Sequence, residues 1–335
     1  MNAKKKLSSI AELAALVGVS KSTVSRALGG SSLVNEETKA RILAVAREYD
    51  FQLNLPARYL SLGASRTIAF VTQACCDSGD KPDLFGLEIM GGVAAGLDEL
   101  GYDMLALYVA PEDDDWIARY FDSGVVAGFI LMTYENKPRQ LELLAEREAP
   151  FITRGLGEGR YCSVNGDNRR GGALAAERFL SRGRRRPAFI GGPADDPEVT
   201  ERFAGYRSAL AGAGLEPAPA RVAYGDFSEE SGAAAMAALL DAAPELDAVF
   251  AASDLMAIAA MRLLASRGKR VPEDVAVIGY DDLRLASYVS PALTTVSQSV
   301  TLTGKLLARD LVAYLQSGQV TNRVVPVELI ARDSA

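Results

Sequence analysis

From Arg66 onward the chain alternates short, continuously apolar segments with amphipathic segments of helical period. The apolar segments read TIAFV, YDMLALYV, GFILM, PFIT, RPAFIGG, RVAYG, DAVFAAS and DVAVIGYDD. Helical runs such as LEIMGGVAAGLDELG, NRRGGALAAERFLSRG and SDLMAIAAMRLLASRG lie between them. Because strands that are apolar throughout must be covered on both faces, this alternation predicts parallel sheets flanked by helices. Two such sets predict two doubly wound lobes with a ligand-binding crevice between them.

The residues before Arg66 predict three short helices instead. Ser9, Ser20 and Asn35 each precede a run of helical period and can cap a helix, and Gly18 can end the first. The second run, KSTVSRAL, carries hydroxyls and cations where a buried helix would carry hydrocarbon. A helix, a glycine turn and a polar second helix form a helix-turn-helix, whose second helix lies in the DNA major groove. The spacing alone leaves a solvated surface helix open as the alternative.

The side chains of this second helix divide between two faces. Lys21, Ser22 and Arg26 are expected to reach base edges or phosphates, whereas Val24 and Ala27 are expected to turn toward the small core. The hydroxyls expected to contact phosphates, which set the register without reading sequence, are those of Thr23 and Ser25, and Ser20 is also expected to contact DNA.

Charge and composition restrict the classes of function. The net charge of −7 divides into +5 for residues 1–66 and −12 for the remainder, so only the basic head is expected to meet a polyanion. The chain has no histidine, which excludes Ser-His-Asp and Cys-His triads and imidazole metal sites. Carboxylate and lysine chemistry stays open on composition alone, and the predicted function has no catalytic site, no metal and no cofactor.

Cysteine content and the lack of targeting segments predict a cytoplasmic protein. Cys75, Cys76 and Cys162 have no metal-binding spacing, and an odd number of cysteines fits a reducing compartment. No apolar run approaches the ~20 residues of a membrane span, and the N-terminus lacks a secretory cleavage site. An exported sugar-binding protein would carry a signal peptide and no helix-turn-helix. A sugar-modifying enzyme without histidine would depend on carboxylates or lysine.

Four stretches of the sequence are distinctive. They read, in chain order, SSIAELAALVGVSKSTVSRALGGSSLVNEETKARILAVAREYDF, ERFAGYRSAL, ASDLMAIAAMRLLASRGKRVPEDVAVIGYDD and SPALTTVSQSVTLTGKLLA. The first resembles the DNA-binding headpiece, and the others the effector domain, of the lactose/galactose repressor (LacI/GalR) family. The resemblance covers essentially the whole chain. It implies an all-α helix-turn-helix headpiece plus an α/β periplasmic-binding-protein-like effector domain of two doubly wound parallel-sheet lobes. It also implies a repressor whose affinity for a double-stranded, pseudo-palindromic operator is controlled by a sugar-like ligand bound between the lobes.

By the same resemblance, the base-reading positions of the headpiece fall on Lys21, Ser22 and Arg26. The hinge positions that meet the DNA are Asn54, Ala57, Arg58 and Leu60, of which the leucine is the minor-groove wedge. Leu53 stands where relatives carry a proline, and Pro56 lies inside the hinge, so the hinge helix is expected to start late. A helix this short is expected to order only when it is docked on DNA.

The resemblance also implies an effector site. Arg202 matches the family's ligand-binding arginine, Asp281 can accept hydrogen bonds from two hydroxyls, and Phe227 matches an aromatic residue that covers the ligand. The weaker contact positions are Thr153, Arg154, Ser253 and Gln298. Phe227 is also compatible with a core position, and Arg202 with an interdomain ion pair. Asp254 and Asp282 each begin a helical run, and we interpret them as helix caps.

These patterns predict the limits of the domains. The predicted ranges are 1–50 for the headpiece, 51–66 for the hinge, 67–165 with 298–322 for the N-terminal lobe, and 166–297 with 323–335 for the C-terminal lobe. VVPVELIARD is expected to form a single final strand, with no room after it for a tetramerising tail. The expected assembly is a homodimer, because paired half-sites require two-fold symmetry.

Overall fold

The computed structural model describes residues 7, 9–28, 33–51, 65–73, 84–110, 113–132, 138–155 and 161–335. The chain divides into two compact units, Met1–Ser65 and Arg66–Ala335. The predicted hinge contacts and two cysteines lie outside the described residues, namely Leu53, Asn54, Pro56, Ala57, Arg58, Leu60, Cys75 and Cys76.

The first unit contains the three predicted helices, α1 (Ile10–Val17), α2 (Lys21–Leu28) and α3 (Glu36–Glu48). The side chain of Ser9 caps α1 by accepting from the N–H of Glu12 at 3.2 Å, and that of Asn35 caps α3 by accepting from Thr38 at 2.8 Å. Gly18 ends α1 in the left-handed conformation, with φ of 74°, which glycine adopts without a Cβ penalty. The predicted helix boundaries are therefore confirmed to within a residue.

The headpiece core is small and draws on all three helices. Its buried members include Leu13 of α1, Val24 and Ala27 of α2, and Ile42 and Ala46 of α3. The prediction that Val24 and Ala27 face inward is confirmed. The opposite face of α2 is consequently left for contacts outside this core.

The second unit consists of two lobes, each built on a six-stranded sheet. The strands are β1 (Thr67–Gln73), β2 (Asp103–Val109), β3 (Gly128–Met132), β4 (Phe151–Arg154), β5 (Cys162–Gly166), β6 (Pro187–Gly191), β7 (Val222–Tyr224), β8 (Ala248–Ala251), β9 (Ala276–Asp281), β10 (Thr294–Ser297), β11 (Asn322–Val325) and β12 (Glu328–Ile330). The helices are α4 (Leu84–Glu99), α5 (Pro138–Glu146), α6 (Asn168–Ser181), α7 (Pro197–Gly212), α8 (Glu229–Ala242), α9 (Asp254–Ser266) and α10 (Val300–Ser317). A π-helical turn spans Ala118–Asp122, and 3₁₀ turns span Pro219–Arg221 and Arg284–Ser287.

The two sheets repeat one strand order. The first lobe has the order β11-β5-β4-β3-β1-β2, and the second has β12-β10-β9-β8-β6-β7. The pairs are parallel except for β10 with β12, which are antiparallel. The doubly wound, two-lobed fold expected from the sequence is therefore confirmed.

The chain passes between the lobes after β5, after β10 and after β11. Residues 323–325 were assigned to the C-terminal lobe from the sequence, but Asn322–Val325 pairs with Cys162–Gly166 in the first sheet, so that limit is wrong. The prediction of one strand over VVPVELIARD is wrong for the same reason. Pro326, which has no N–H to donate to a ladder, stands where the chain leaves one sheet for the other.

Helices α6 and α7 cross with their backbones in direct contact, and this crossing positions the residues of the cleft described below. A Cβ on Gly172 of α6 would lie 1.8 Å from the carbonyl oxygen of Arg202, and one on Gly205 of α7 would lie 1.8 Å from that of Arg169. No side chain larger than hydrogen fits at either position. The two glycines therefore fix the spacing of α7 from the start of α6, where the chain enters the second lobe.

We expect Gly205→Ala to lower the free energy of unfolding by about 1–3 kcal/mol or more, because the added methyl group meets backbone rather than a movable side chain. Gly212→Ala, at the end of the same helix, is the matched control, because a Cβ there meets nothing within 4 Å. The control should be neutral or slightly stabilising, since alanine is the better helix former by about 1 kcal/mol. Urea denaturation measures both variants, and equal stability of the two would contradict this account of the helix crossing.

Candidate functional site

The exposed face of α2 carries the side chains expected to reach DNA. Lys21, Ser22 and Arg26 are exposed, while Thr23 and Ser25 are half-buried. Ser20 also serves the helix itself, because its Oγ accepts from the N–H of Thr23 at 3.1 Å. Cations and hydroxyls thus occupy the surface of a short helix held from behind by its core, as a major-groove reading helix requires.

The second unit contains an open cleft at the carboxyl ends of the strands of both sheets. The cleft has a volume of about 710 Å³ when its open mouth is included. Its lining residues are Phe85, Met132, Arg154, Asp196, Glu198, Arg202, Phe227, Ala252, Ser253, Leu255, Asp281, Leu283 and Gln298. Six of the predicted effector-binding residues are thus brought together, namely Arg154, Arg202, Phe227, Ser253, Asp281 and Gln298.

Thr153, the remaining predicted contact, is not brought to the cleft. It is buried within β4, one position before Arg154, which is the residue of this strand that lines the cleft. Successive side chains of a strand point to opposite faces of the sheet, so Thr153 and Arg154 lie on different sides of it.

A buried ion-pair network connects the two lobes across the cleft. Glu198 of α7 accepts hydrogen bonds from the guanidinium of Arg154, in the first lobe, and from that of Arg202 at 3.2 Å. Burial alone would raise the pKa of Glu198, but the positive charges of Arg154 and Arg202 outweigh it and lower that pKa. Glu198 is therefore an ionised carboxylate held between two guanidinium groups.

Arg202 is held on several sides at once. Its Nε donates to Oδ1 of Asn168 at 2.8 Å, and Nη1 donates to the carbonyl of Ala252 at 2.7 Å. The guanidinium also lies 3.9 Å from the ring centre of Tyr280, which is a cation-π distance. The ion pair of Arg202 lies within one helix, so the alternative interpretation of an interdomain ion pair is wrong for Arg202, and it is Arg154 that makes that contact.

Asp281 stands at the end of β9 in a strained backbone conformation. Its φ is 114°, a region that L-residues rarely adopt, and Asp282, Phe227 and Ser299 beside the cleft also have positive φ. Nε2 of Gln298 donates to Oδ1 of Asp281 at 2.6 Å, and Oε1 of Gln298 accepts from Arg154 at 2.5 Å. The carboxylate is thus oriented by a side chain that is itself connected to the other lobe.

Apolar side chains supply the remaining walls. Phe227 packs against the hydrophobic core of the second lobe and lies over Gly192, where a Cβ would be 2.3 Å from the ring. Phe85 lies across from it in the first lobe, with its ring centre 5.1 Å from the guanidinium carbon of Arg154. An arrangement of aromatic faces with convergent hydrogen-bonding groups suits a ring with hydroxyls at its edge and hydrocarbon on its face.

The interpretation of Asp254 and Asp282 as helix caps is wrong. Ser253 is the N-cap of α9, since its side chain accepts from the N–H of Met256 at 3.3 Å. The buried carboxyl of Asp254 instead accepts from the N–H of Leu283 at 2.8 Å and from the hydroxyl of Thr295 at 2.5 Å. A cap requires a side chain that turns back on its own helix, and the carboxyl of Asp254 points toward the neighbouring strands.

Asp282 contacts the C-terminal segment that follows β12 instead of a helix. Nη2 of Arg332 donates to its Oδ1 at 2.6 Å, and the 3₁₀ turn that follows begins after Leu283. The two acids of GYDD therefore have different positions: Asp281 lines the cleft, and Asp282 contributes to the packing of the second lobe.

Glu198, Asn168 and Phe85 are site residues that the sequence analysis missed. Glu198 had a detectable signal, because it stands four positions before Arg202 in PEVTER, and a carboxylate and a guanidinium group four residues apart can pair on a helix. Asn168 and Phe85 had none, since the placement of whole helices brings Asn168 against Arg202 and Phe85 into the wall of the cleft.

The residues that the structure describes hold no group of three or more Cys, Asp or Glu side chains arranged to bind a metal ion. The same residues contain no helix that is both long and apolar enough to cross a membrane.

Comparison with known proteins places the chain in a family. Residues 9–54 match the model described as bacterial regulatory proteins, lacI family, and residues 176–335 match a periplasmic binding protein-like domain. The chain is 38% identical over 325 residues to the HTH-type transcriptional regulator CelR of Thermobifida fusca, covering 95% of this chain and 94% of that protein. It is 30% identical over 312 residues to the ribose operon repressor of Escherichia coli K12, covering 90% and 91%.

A solved structure agrees with this assignment. The transcriptional regulator CelR-cellobiose complex matches with a TM-score of 0.75 and 35% identity, over 98% of this chain and 100% of that one. The two-lobed fold and the helix-turn-helix define a ligand-responsive DNA-binding protein rather than an enzyme. The chain belongs to the LacI family of bacterial transcriptional regulators.

We expect Asp254→Asn to remove a pH dependence of stability. Burial, followed by the charge of Asp281, raises the pKa of Asp254 well above its usual 3.8, so the folded chain binds a proton that the unfolded chain releases. The free energy of unfolding of the wild type, taken relative to the variant, should therefore fall as the pH rises from about 4 through the raised pKa.

Urea denaturation at several values between about pH 5 and 8 measures this difference. Asp241→Asn, which removes an exposed carboxylate from α8, is the control. A difference between wild type and Asp254→Asn that stays constant across this range would contradict the expectation.

Proposed function

We propose that this protein is a cytoplasmic, homodimeric repressor whose affinity for a pseudo-palindromic operator is controlled by a sugar bound in the cleft between the lobes. The observation that carries the proposal is the cleft itself, in which Arg202 and Asp281 present paired hydrogen-bonding groups beside the aromatic face of Phe227. Its occurrence in a chain with an exposed, polar helix-turn-helix favours a regulator. The likeness to a regulator solved with cellobiose supports a sugar as the ligand class.

In the headpiece, Lys21, Ser22 and Arg26 would read base edges, and Ser20, Thr23 and Ser25 would contact phosphates. The exposure of Lys21, Ser22 and Arg26 supports the first role, and the partial exposure of Thr23 and Ser25 supports the second. Asn54, Ala57, Arg58 and Leu60 would contact the minor groove from a hinge at residues 51–66, which follows a headpiece at residues 1–50. Insertion of the leucine would kink the duplex and widen the groove.

Arg26→Ala should weaken operator binding by about 1–3 kcal/mol if the guanidinium contacts a guanine. The operator is first selected from a pool of random DNA, and binding of wild type and variant is then measured by fluorescence anisotropy. Arg41→Ala removes the same charge from the exposed surface of α3 and is the matched control. Equal losses on operator and on random DNA would make Arg26 a phosphate contact instead.

In the cleft, Arg202 would bind adjacent hydroxyls with its guanidinium fork, and Asp281 would accept hydrogen bonds from two hydroxyls. Phe227 would cover one face of the ring, while Arg154, Ser253 and Gln298 would contribute further contacts. The support for these roles is that each side chain lines the cleft and is held by packing or hydrogen bonds. A site preorganised in this way loses little entropy when the ligand binds.

Coupling of the two sites would pass through the relative position of the lobes. A ligand changes DNA affinity only if it binds one arrangement of the lobes more tightly than another. Arg154, Gln298 and Glu198 connect the lobes at the cleft, so a ligand bound to these side chains would favour one arrangement of the lobes over another. The hinge helices would then be held apart and lose their order on DNA.

Asp281→Asn should abolish the response of operator binding to ligand while leaving binding without ligand unchanged, because the substitution removes an acceptor in the cleft and none in the headpiece. Leu60→Ala should do the reverse, weakening operator binding while ligand affinity stays intact. Ligand affinity is measured by thermal shift across a panel of sugars, since a ligand that binds only the folded state raises the unfolding temperature. A normal ligand response in Asp281→Asn, or normal operator binding in Leu60→Ala, would contradict the mechanism.

A further inference from the structure

The charged side chains of the cleft compensate one another before any ligand arrives. Glu198 accepts from both Arg154 and Arg202, and Gln298 connects Arg154 to Asp281. Asp196 adds another carboxyl to the wall, where it caps α7 by accepting from the N–H of Val199 at 3.0 Å. The lining therefore contains two guanidinium groups opposed by acidic side chains, and both guanidinium groups are engaged.

Burial makes this compensation effective. Arg154 and Arg202 are only 5% and 3% exposed, so solvent screens their charges little. The charges of both arginines keep Glu198 ionised against the opposing effect of burial, by lowering its pKa. Glu198 is the carboxylate in direct contact with both cations, and its removal would leave them without their shared partner.

We propose that Glu198 is a specificity residue, which makes the cleft select uncharged polyhydroxyl ligands and reject sugar acids and sugar phosphates. An anionic ligand needs a guanidinium fork that is not already neutralised, and it would meet the carboxylates of Glu198 and Asp281 in a poorly solvated site. A hydroxyl group both donates and accepts, so it can bond to Glu198, Asp281 and Gln298 as well as to the arginines. This proposal rests on the proposed function of the cleft as a sugar site.

Glu198→Gln tests the proposal with little change of shape. The amide has nearly the same volume and can still accept from one arginine, but it leaves the two guanidinium groups with one negative charge fewer. Glu201→Gln is the matched control, since Glu201 lies on the same helix and is paired with Arg169 at 2.8 Å on an exposed surface. Isothermal titration calorimetry of the full chain measures binding of four probes: cellobiose, glucose, glucuronate and glucose 6-phosphate.

For the wild type and the Glu201→Gln control, we expect glucose to bind at least tenfold more tightly than glucuronate or glucose 6-phosphate. For Glu198→Gln, we expect the affinity for the two anions to rise at least tenfold above the wild type. The double variant Arg154→Gln with Glu198→Gln restores the charge balance and should lose that gain. Circular dichroism monitors the folding of each variant.

Equal binding of glucose and glucuronate by the wild type would overturn the proposal, and this comparison requires no variant. A folded Glu198→Gln protein whose anion binding stays within tenfold of the wild type would overturn it as well. The absence of neutral-sugar binding by the wild type, accompanied by a gain of anion binding in Glu198→Gln, would contradict the proposed function and not the role of Glu198.

Discussion

The buried carboxylate of Glu198 is the interaction on which the geometry of the cleft depends. An ionised carboxylate removed from water is strongly destabilising unless its partners are in place, and here those partners come from both lobes. Arg154 must therefore reach across from β4, whereas Arg202 lies one turn further along α7, the helix whose position is fixed by its crossing with α6 through Gly172 and Gly205. One buried charge thus ties the packing of helices in one lobe to the position of a strand in the other.

Beside Glu198, residues with a strained backbone are accompanied by buried hydrogen bonds. Asp281 is held at φ of 114°, and Phe227 at 69°, in conformations that cost energy for residues other than glycine. Asp254 stabilises the first of these by accepting from the backbone after it and from Thr295 of the neighbouring strand. The cleft is therefore rigid in its polar groups before a ligand binds, and the unfavourable backbone angles are compensated by hydrogen bonds buried behind it.

The sequence predicted the elements whose pattern is local, and missed those whose pairing is decided at long range. Apolar runs such as GFILM coincide with strands, but Cys162–Gly166 is rich in polar residues and forms a strand between β4 on one side and Asn322–Val325 on the other. The same distinction holds in the cleft. Arg202 and Asp281 were expected from resemblance, whereas the pairing of Glu198 with Arg154 joins residues that are distant in sequence and lie in different lobes.

The way the chain returns to its first lobe has a consequence for biosynthesis. Helix α10 packs through Gly304 against α4, and β11 completes the edge of the first sheet beside β5, yet both are made after almost all of the second lobe. The first lobe has an apolar face against which Leu307 and Leu311 of α10 pack. This face is exposed while the ribosome is still translating the second lobe. The first lobe therefore cannot complete its fold until most of the second has been made, and until then the nascent chain exposes apolar surface of the kind that molecular chaperones bind.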